Sequence, residues 1–430
     1  MGGTWQQQNK SLPGAYINIL GETPLSIKMS QRGIVALPIK LGWGEKGKVY
    51  KVHPGDDTVK ILGSSINDIM PLREALKNSS EVLLCKVNGG QKASVELTTG
   101  VTATAVCEGS RGNAISVVVQ GKTGNFTIST FLDGVLMDQQ TLNSYEAFKP
   151  NGFITISGTA EFEAGTKQLA SGSDTEAIES DFTAALNTFK THNFNVIAYG
   201  GSISAVKTNI EAYVKEMREN EGVKIQAVMS NHDCDYEGII VVDNGVILED
   251  GTTLSAGDVC YWVAGATAGA NVNQSNTGKV YQGAIDVSPR LLKSEMETKC
   301  DAGKVIFKVD NSQRVTMVYD INSLITYVGG KKKSFRKNRV IRTLDNIAND
   351  ISSIWEHNYM GKIDNTADGR SLYRASLVEY FKALEGLNAI EGFVPEDVTV
   401  DSGEDSDAIV VNVEVKTVDS AEKLYMTILV

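Results

Sequence analysis

Residues 194–229 read FNVIAYGGSISAVKTNIEAYVKEMRENEGVKIQAVM. A strand-like apolar run at 194–199 is followed by apolar residues at helical spacing over 206–217, and then by a second apolar run at 224–229. Strand, helix and strand in this order predict two parallel strands joined by a crossover helix. The stretch therefore predicts an α/β domain.

Residues 89–157 have a different character from the segments on either side. Runs rich in Val, Thr, Ile and Phe, such as 114–119 and 126–131, alternate with Gly, Asn and Asp turns, which is typical of a protein built from strands. A short helix at 66–76 and a strand at 81–87 are predicted upstream, so α/β character lies on both sides. We therefore predict an all-β module inserted into a loop of the α/β domain, since loops tolerate insertions best.

The last hundred residues predict helices followed by strands. Helical periodicity covers 340–354 and 372–384, and strand-like runs lie near Val398, at 409–415 and at 424–430. The predicted fold class is multidomain α/β plus α+β, with an extended N-terminal arm and a C-terminal strand. Its predicted parts are an arm at 1–20, an α/β domain at 21–88 and 158–330, an inserted β module at 89–157, and an α+β C-terminal domain at 331–430.

Two local patterns lie within the α/β domain. Asn244-Gly245 between short apolar runs predicts a hairpin, because this dipeptide suits the positive φ of a type I′ turn. Residues 256–270 are small or apolar almost all round. Such a helix is stable only when neighbours enclose it, so we expect it at the centre of the packing.

Composition argues against several classes of function. The chain has 430 residues, 42% hydrophobic and 22% charged, which is typical of a folded protein. A net charge of -11 argues against nucleic-acid binding, and the apolar runs are too short for membrane insertion. Five cysteines without a CxxC pair and four scattered histidines give little material for a metal site or acid–base chemistry.

Three motifs could carry chemistry. Residues 42–49 satisfy GxxxxGK, but Val49 replaces the required Ser or Thr and a strand follows, so no phosphate-binding helix is expected. Residues 200–204 lack G-x-S-x-G spacing, and a serine there is expected to cap the next helix. The cluster around His232 has no second ligand group to complete a metal site. We therefore predict no catalytic, cofactor-binding or metal-binding residues; the alternative is a cytoplasmic, hydrolase-like enzyme that uses Ser202 or His232.

Residues 331–342 carry seven positive charges and no acidic residue. In an acidic chain, such a segment fits an acidic protein surface better than nucleic acid, which needs a larger patch and stacking aromatic residues. The alternative is a solvated loop. A protein-binding role is the preferred prediction.

Several motifs together resemble the contractile tail sheath proteins of phages and of phage-tail-like R-type bacteriocins. The C-terminal matches are YDINSL at 319–324, FRKNRVIRTLD at 335–345, YMGK at 359–362, Asn365, DGR at 368–370 and EKLYMTI at 422–428. The upstream matches are LPGAY at 12–16, GSRGN at 109–113, LASGSD at 169–174, VAG at 263–265 and NQS at 273–275. Their order and spacing extend the resemblance over nearly the whole chain.

This resemblance implies a structural subunit that forms stacked hexameric rings around an inner tube and contracts to drive the tube through a cell envelope. Its implied partners are other copies of itself, the tube protein, and baseplate and tail terminator proteins, in a virion tail or phage-tail-like particle assembled in the bacterial cytoplasm. Another tube or baseplate component is a further alternative. We expect the β module on the outer surface and the C-terminal domain against the tube.

The same resemblance, combined with the strand patterns and the basic segment, assigns two sets of residues. The residues expected to exchange strands between subunits are Ala15, Tyr16, Ile17, Asn18, Ile19, Leu424, Tyr425, Met426, Thr427 and Ile428. The residues expected to face the tube are Lys331, Lys332, Lys333, Arg336, Lys337 and Arg339.

Overall fold

The computed structural model describes residues 32–429 and the backbone of residues 2–3 and 15–16. Among them, residues 350–416 form one compact unit, and residues 32–349 with 417–429 form a larger one. The strands are β1 (Gly2–Gly3), β2 (Ala15–Tyr16), β3 (Ile34–Ile39), β4 (Val49–Val52), β5 (Glu81–Lys86), β6 (Gly90–Gln91), β7 (Ser94–Thr98), β8 (Val101–Ala105), β9 (Ile115–Lys122), β10 (Asn125–Leu132), β11 (Val135–Leu142), β12 (Ile154–Gly158), β13 (Gly165–Gln168), β14 (Ser173–Asp174), β15 (Val196–Tyr199), β16 (Gln226–Ser230), β17 (Ile239–Val242), β18 (Gly245–Leu248), β19 (Thr253–Leu254), β20 (Ala284–Ser288), β21 (Lys304–Val305), β22 (Phe307–Val309), β23 (Val315–Met317), β24 (Val398–Ser402) and β25 (Ile409–Val413).

The α-helices are α1 (Val59–Leu62), α2 (Met70–Leu76), α3 (Glu179–Phe189), α4 (Ser204–Glu219), α5 (Ala256–Gly269), α6 (Lys293–Asp301), α7 (Asn338–Ile354) and α8 (Ala367–Gly386). Short 3₁₀ turns lie at Ile66–Asp68, Ser110–Ala114, Tyr145–Ala147, Lys333–Arg336 and Pro395–Asp397, and a π-helical turn at Trp355–Tyr359 follows α7. Within the described part of the chain, no helix is both long and apolar enough to cross a membrane.

A seven-stranded sheet forms the centre of the larger unit. Its order is β21-β17-β16-β15-β3-β5-β4, and all neighbouring pairs are parallel except β4 with β5. Strand β15, helix α4 and strand β16 form the predicted crossover. Successive strand residues enter cores on opposite faces, with α5 on one side and α3 and α4 on the other, as expected for a parallel sheet buried on both faces.

Helix α5 is buried all round, as its composition predicts. Its glycines allow a close approach to α2 and the turn that follows α2. A Cβ on Gly265 would lie 2.2 Å from the carbonyl oxygen of Ala75, and one on Gly269 would lie 1.9 Å from that of Asn78. The backbones therefore meet where only glycine fits.

Residues 94–168 form two antiparallel sheets with a core of their own. The sheets have the orders β12-β8-β7 and β11-β10-β9-β13, and their shared core includes Val101, Ile115 and Phe126. Strand β13 pairs with β9, so this part of the structure extends past residue 157, the end expected for the module from sequence.

The hairpin predicted at Asn244-Gly245 is wrong. Strand β17 lies in the seven-stranded sheet, whereas β18 pairs with β19 and β20 in a separate sheet. Asn244 is buried, and its side-chain amide exchanges two hydrogen bonds with the backbone of Phe307, at 3.0 and 2.8 Å. This long-range pairing replaces the local turn. Strands β22 and β23 form an antiparallel hairpin elsewhere in the larger unit.

The smaller unit contains α8 and the β24–β25 hairpin. The ring of Tyr373 contacts those of Trp355 edge-on and of Tyr359 at a tilt, and the Tyr380 hydroxyl donates to Asp350 at 2.8 Å. The strands expected near 398 and 409–415 are present. The strand expected at 424–430 is absent from the described residues 424–429.

Candidate assembly surfaces

The tail segment, defined here as residues 424–429, is exposed and apolar. Leu424, Tyr425 and Leu429 are 86%, 88% and 91% exposed, and Met426 and Ile428 are also exposed. Exposed apolar side chains in a contiguous run mark interaction sites in soluble proteins. All five C-terminal residues expected to exchange strands therefore lie on an accessible segment that is not part of a sheet within the described chain.

Residues just before the tail segment are held in place. The Lys337 ammonium donates to the Glu422 carboxylate and lies 3.4 Å from Asp419 Oδ2. Ser275 Oγ donates to Glu422 Oε1 at 3.0 Å. Arg339 Nη1 donates to Ser420 Oγ at 2.7 Å. Two members of the predicted tube-facing set, Lys337 and Arg339, therefore bind residues of their own chain.

The N-terminal exchange residues are described only in part. The backbones of Ala15 and Tyr16 pair in parallel with Gly2 and Gly3. Residues Ile17, Asn18 and Ile19 lie outside the described residues. Strand exchange at this end stays a prediction.

The basic segment divides into paired and exposed side chains. Lys331 Nζ lies 2.7 Å from Glu237 Oε2 and 5.1 Å from the ring centroid of Tyr236. Arg336 is buried, whereas Lys332 and Lys333 are exposed and have no ion pair within the described chain. Lys332 and Lys333 are therefore the members of the set most accessible to an acidic partner.

An apolar loop lies just before the exposed lysines. Ile325, Tyr327 and Val328 are exposed, and Gly329-Gly330 separates them from Lys331. Sequence reasoning missed this loop, although apolar residues next to a basic run are a recognisable signal. An exposed apolar cluster beside positive charge is suited to binding an acidic protein surface.

A buried carboxylate joins two of the motifs that carry the family resemblance. Asp320 accepts hydrogen bonds from the Asn276 amide and from Asn338 Nδ2, both at 2.9 Å. The buried Arg342 guanidinium lies 3.4 Å from the same carboxylate. Because a buried charge is costly unless it is paired and hydrogen-bonded, these polar residues are explained by the fold rather than by a partner. Sequence reasoning missed this network.

The cluster around His232 gains a third potential ligand in Glu211. The ligand atoms of Glu211, His232 and Cys234 lie within 4.8 Å of one another, and His232 Nε2 lies 2.7 Å from Glu211 Oε2. Lys215 Nζ lies 2.7 Å from the other carboxylate oxygen. Burial alone would raise the pKa of Glu211, but hydrogen bonds from Lys215 and His232 outweigh it and lower that pKa. The ammonium of Lys215 opposes a metal cation here, so the cluster acts as a charge-paired link between α4 and the loop after β16.

The structure around the other two motifs differs from that of the enzyme sites they resemble. Strand β4 begins at Val49, and Lys48 pairs with Glu45 at 2.8 Å, so no helix follows the GxxxxGK pattern. The predicted serine cap of α4 is wrong, because Ile203 occupies the N-cap position and Ser204 is the first helical residue. Ser202 is exposed, and His232 is bonded to Glu211 rather than to a serine.

Comparisons with known proteins identify the family. The phage tail sheath protein central domain matches residues 176–323, the phage tail sheath C-terminal domain matches 330–430, and the tail sheath protein Gp18 domain III N-terminal region matches 32–87. The phage-like element PBSX protein XkdK of Bacillus subtilis (strain 168) is 34% identical over 99% of both chains.

Solved structures agree with these matches. The crystal structure of a sheath tail protein from Desulfitobacterium hafniense is 38% identical, with a TM-score of 0.88 over 96% of this chain and 99% of that one. The helical sheath of the anti-feeding prophage in its contracted state shares the fold at 12% identity, with a TM-score of 0.61 over 98% of this chain and 99% of that one. The chain therefore belongs to the contractile phage tail sheath family, as a structural component of a phage tail or phage-tail-like particle and not an enzyme.

Proposed function

We propose that this chain polymerises as stacked six-membered rings around an inner tube, and that contraction of the polymer drives the tube through a target cell envelope. The observation that carries the proposal is the exposed apolar tail segment in a member of the sheath family. Its partners are other copies of the chain, the tube protein, and baseplate and tail terminator proteins. Assembly takes place in the cytoplasm of the bacterial host.

Neighbouring subunits are linked by tail exchange, in which the tail segment of one copy binds to another copy. The tail segment adds as a strand to the sheet of a neighbouring copy, together with residues 15–19 of the N-terminal arm. Ordering one residue costs about 1–2 kcal/mol, whereas a backbone hydrogen bond contributes a net of about 0.5–1.5 kcal/mol. Burial of a Leu, Ile or Met side chain contributes about 1.5–3 kcal/mol, so the apolar side chains decide whether the strand binds.

A second contact positions the sheath on the tube. Lys332 and Lys333 supply exposed positive charge, and Ile325, Tyr327 and Val328 supply an apolar surface beside it. Residues 331–430 face the tube in this arrangement, and the inserted β module faces outward. A tube or baseplate component is the second candidate function, but matches to both the central and the C-terminal sheath domains favour the sheath.

Contraction is a rigid-body rearrangement in this proposal. Subunits slide and rotate while the exchanged strands act as hinges, so small free-energy differences per subunit add up along the polymer.

Deletion of residues 424–430 tests the proposal. The purified full chain is expected to form tubes in negative-stain microscopy and to sediment as a polymer. The truncated chain is expected to keep the same melting temperature but remain a monomer. Tubes of normal length from the truncated chain would contradict tail exchange, and a small closed oligomer from the full chain would contradict the sheath function.

A matched pair of substitutions tests the role of the side chains. Alternate residues of a strand share a face. In the strand that tail exchange would form, Met426 would therefore lie on the same face as Leu424 and Ile428. Met426→Asp is expected to abolish polymerisation, whereas Thr427→Asp adds the same charge on the opposite face and is expected to permit it. Equal behaviour of the two variants would contradict pairing as a strand.

A further inference from the structure

We infer that Lys337 and Glu422 form a clasp that fixes the point at which the tail segment leaves the larger unit. The clasp goes beyond the proposed function because it names the contact through which a linked neighbour acts on this subunit. Its consequence for assembly rests on tail exchange, but its existence does not.

The clasp has several contacts around one carboxylate. Glu422 accepts hydrogen bonds from Lys337 and, at 3.0 Å, from Ser275 Oγ. The Lys337 ammonium also lies 3.4 Å from Asp419 Oδ2 and 4.5 Å from the ring centroid of Tyr319. Four separate parts of the larger unit therefore meet at this point.

Because the Lys337–Glu422 pair is buried, loss of either partner is costly. The side chains of Lys337 and Glu422 are only 12% and 9% exposed. Removing one partner of a buried pair leaves an uncompensated charge, which is strongly destabilising. Burial by itself would lower the pKa of Lys337, but the hydrogen bond and charge of Glu422 raise that pKa, so the ammonium remains protonated.

The chain changes from bound to exposed between Glu422 and Lys423. Ser420 is bound to Arg339 at 2.7 Å and Glu422 is held by Lys337, whereas Lys423 and every residue of the tail segment are exposed. A neighbour that pulls on the tail segment therefore loads Glu422 first. The pull passes through Lys337 into the unit of residues 32–349 and bypasses residues 350–416, which precede the tail in sequence.

Limited trypsin digestion tests the clasp in a full-length parent chain that carries Met426→Asp, which is expected to remain a monomer and so leaves the tail segment unexchanged. Lys423 is a trypsin site, and cleavage there depends on how often the preceding residues undock. Lys337→Gln leaves the sequence of the cleavage site unchanged but opens the clasp. This variant is expected to lose residues 424–430 more than about ten times faster than the parent chain. Mass spectrometry measures the rate of loss.

A matched control and a milder variant accompany this measurement. Lys122→Gln removes the same charge from an exposed position on the β module and is expected to leave the rate unchanged. Ser275→Ala removes one hydrogen bond to Glu422 and is expected to give a smaller acceleration, which keeps the test valid if Lys337→Gln fails to fold. Equal cleavage rates in folded Ser275→Ala, Lys122→Gln and the parent chain would overturn the clasp. Normal polymerisation of the chain truncated before residue 424 would overturn tail exchange alone.

Discussion

Arg218 and Asp345 form a bidentate ion pair, with Nη1–Oδ2 and Nη2–Oδ1 distances of 2.6 and 2.7 Å. Both side chains are buried, and Arg218 Nη1 also donates to the carbonyl oxygen of Ile225 at 2.9 Å. Arg218 lies in the crossover helix α4, whereas Asp345 lies in α7 within the FRKNRVIRTLD motif. The pair therefore joins the crossover helix α4 to helix α7, which begins within the basic segment.

Removing one partner of this pair is expected to be costly. Arg218→Met leaves Asp345 buried and unpaired, and should lower the free energy of unfolding by about 3–5 kcal/mol. The double variant with Asp345→Leu should recover more than half of this loss. Lys190→Met, which breaks the more exposed pair with Glu216, should cost at most about 1 kcal/mol. Denaturant titrations followed by circular dichroism measure these changes, and an Arg218→Met loss no larger than that of Lys190→Met would contradict the prediction.

The contact between α5 and α2 predicts a second effect on stability. The Cβ of Gly265→Ala would overlap the Ala75 carbonyl oxygen, and backbone atoms cannot move aside as a flexible side chain can. We expect a loss of about 1–3 kcal/mol or more in the free energy of unfolding. Gly386→Ala at the end of α8 meets no atom within 4 Å and should leave stability unchanged or raise it by up to about 1 kcal/mol. Thermal unfolding of the two variants distinguishes them, and equal melting temperatures would refute the close contact.

The thiols are expected to react slowly in the folded protein. All five cysteines are free, and burial raises the pKa of Cys85 and of Cys234 to about 11. Burial also raises the pKa of Cys107, Cys260 and Cys300. Because the thiolate is the reactive form, a disulfide reagent at pH 8 should modify the native protein slowly and all five thiols quickly after denaturation. Rapid modification of most thiols in the native state would count against this burial.

Local sequence patterns are sufficient to predict an element when residues close in sequence determine its structure. The crossover of β15, α4 and β16 follows from apolar spacing, and the enclosed helix α5 follows from its composition. The Asn244-Gly245 hairpin was wrong because Asn244 pairs with Phe307, which lies 63 residues away. The preference of an Asn-Gly dipeptide for a turn stabilises a hairpin less than two buried hydrogen bonds stabilise the observed arrangement.

The assembly surfaces could be predicted only in part for the same reason. The sequence shows the charges of the basic segment but not the residues that pair with them, such as Glu237 and Glu422. The tail segment has the pattern of a strand, but a strand needs a partner, and the described chain supplies none to it. Long-range contacts therefore determine which of the predicted residues are accessible.

The proposed contact with the tube predicts an effect of charge reversal at Lys332 and Lys333. Because these side chains are exposed, each contact with an acidic surface should contribute at most about 1 kcal/mol and be screened over roughly 10 Å at 0.1 M salt. Lys332→Glu with Lys333→Glu should leave folding and tube-free polymerisation intact but prevent assembly on tubes. A control variant with Lys122→Glu and Lys167→Glu has the same change of charge on the β module. It should assemble on tubes normally. Co-sedimentation with purified tubes measures loading, which should weaken for the parent chain as salt increases; normal loading of the Lys332 and Lys333 double variant at low salt would show that these lysines do not face the tube.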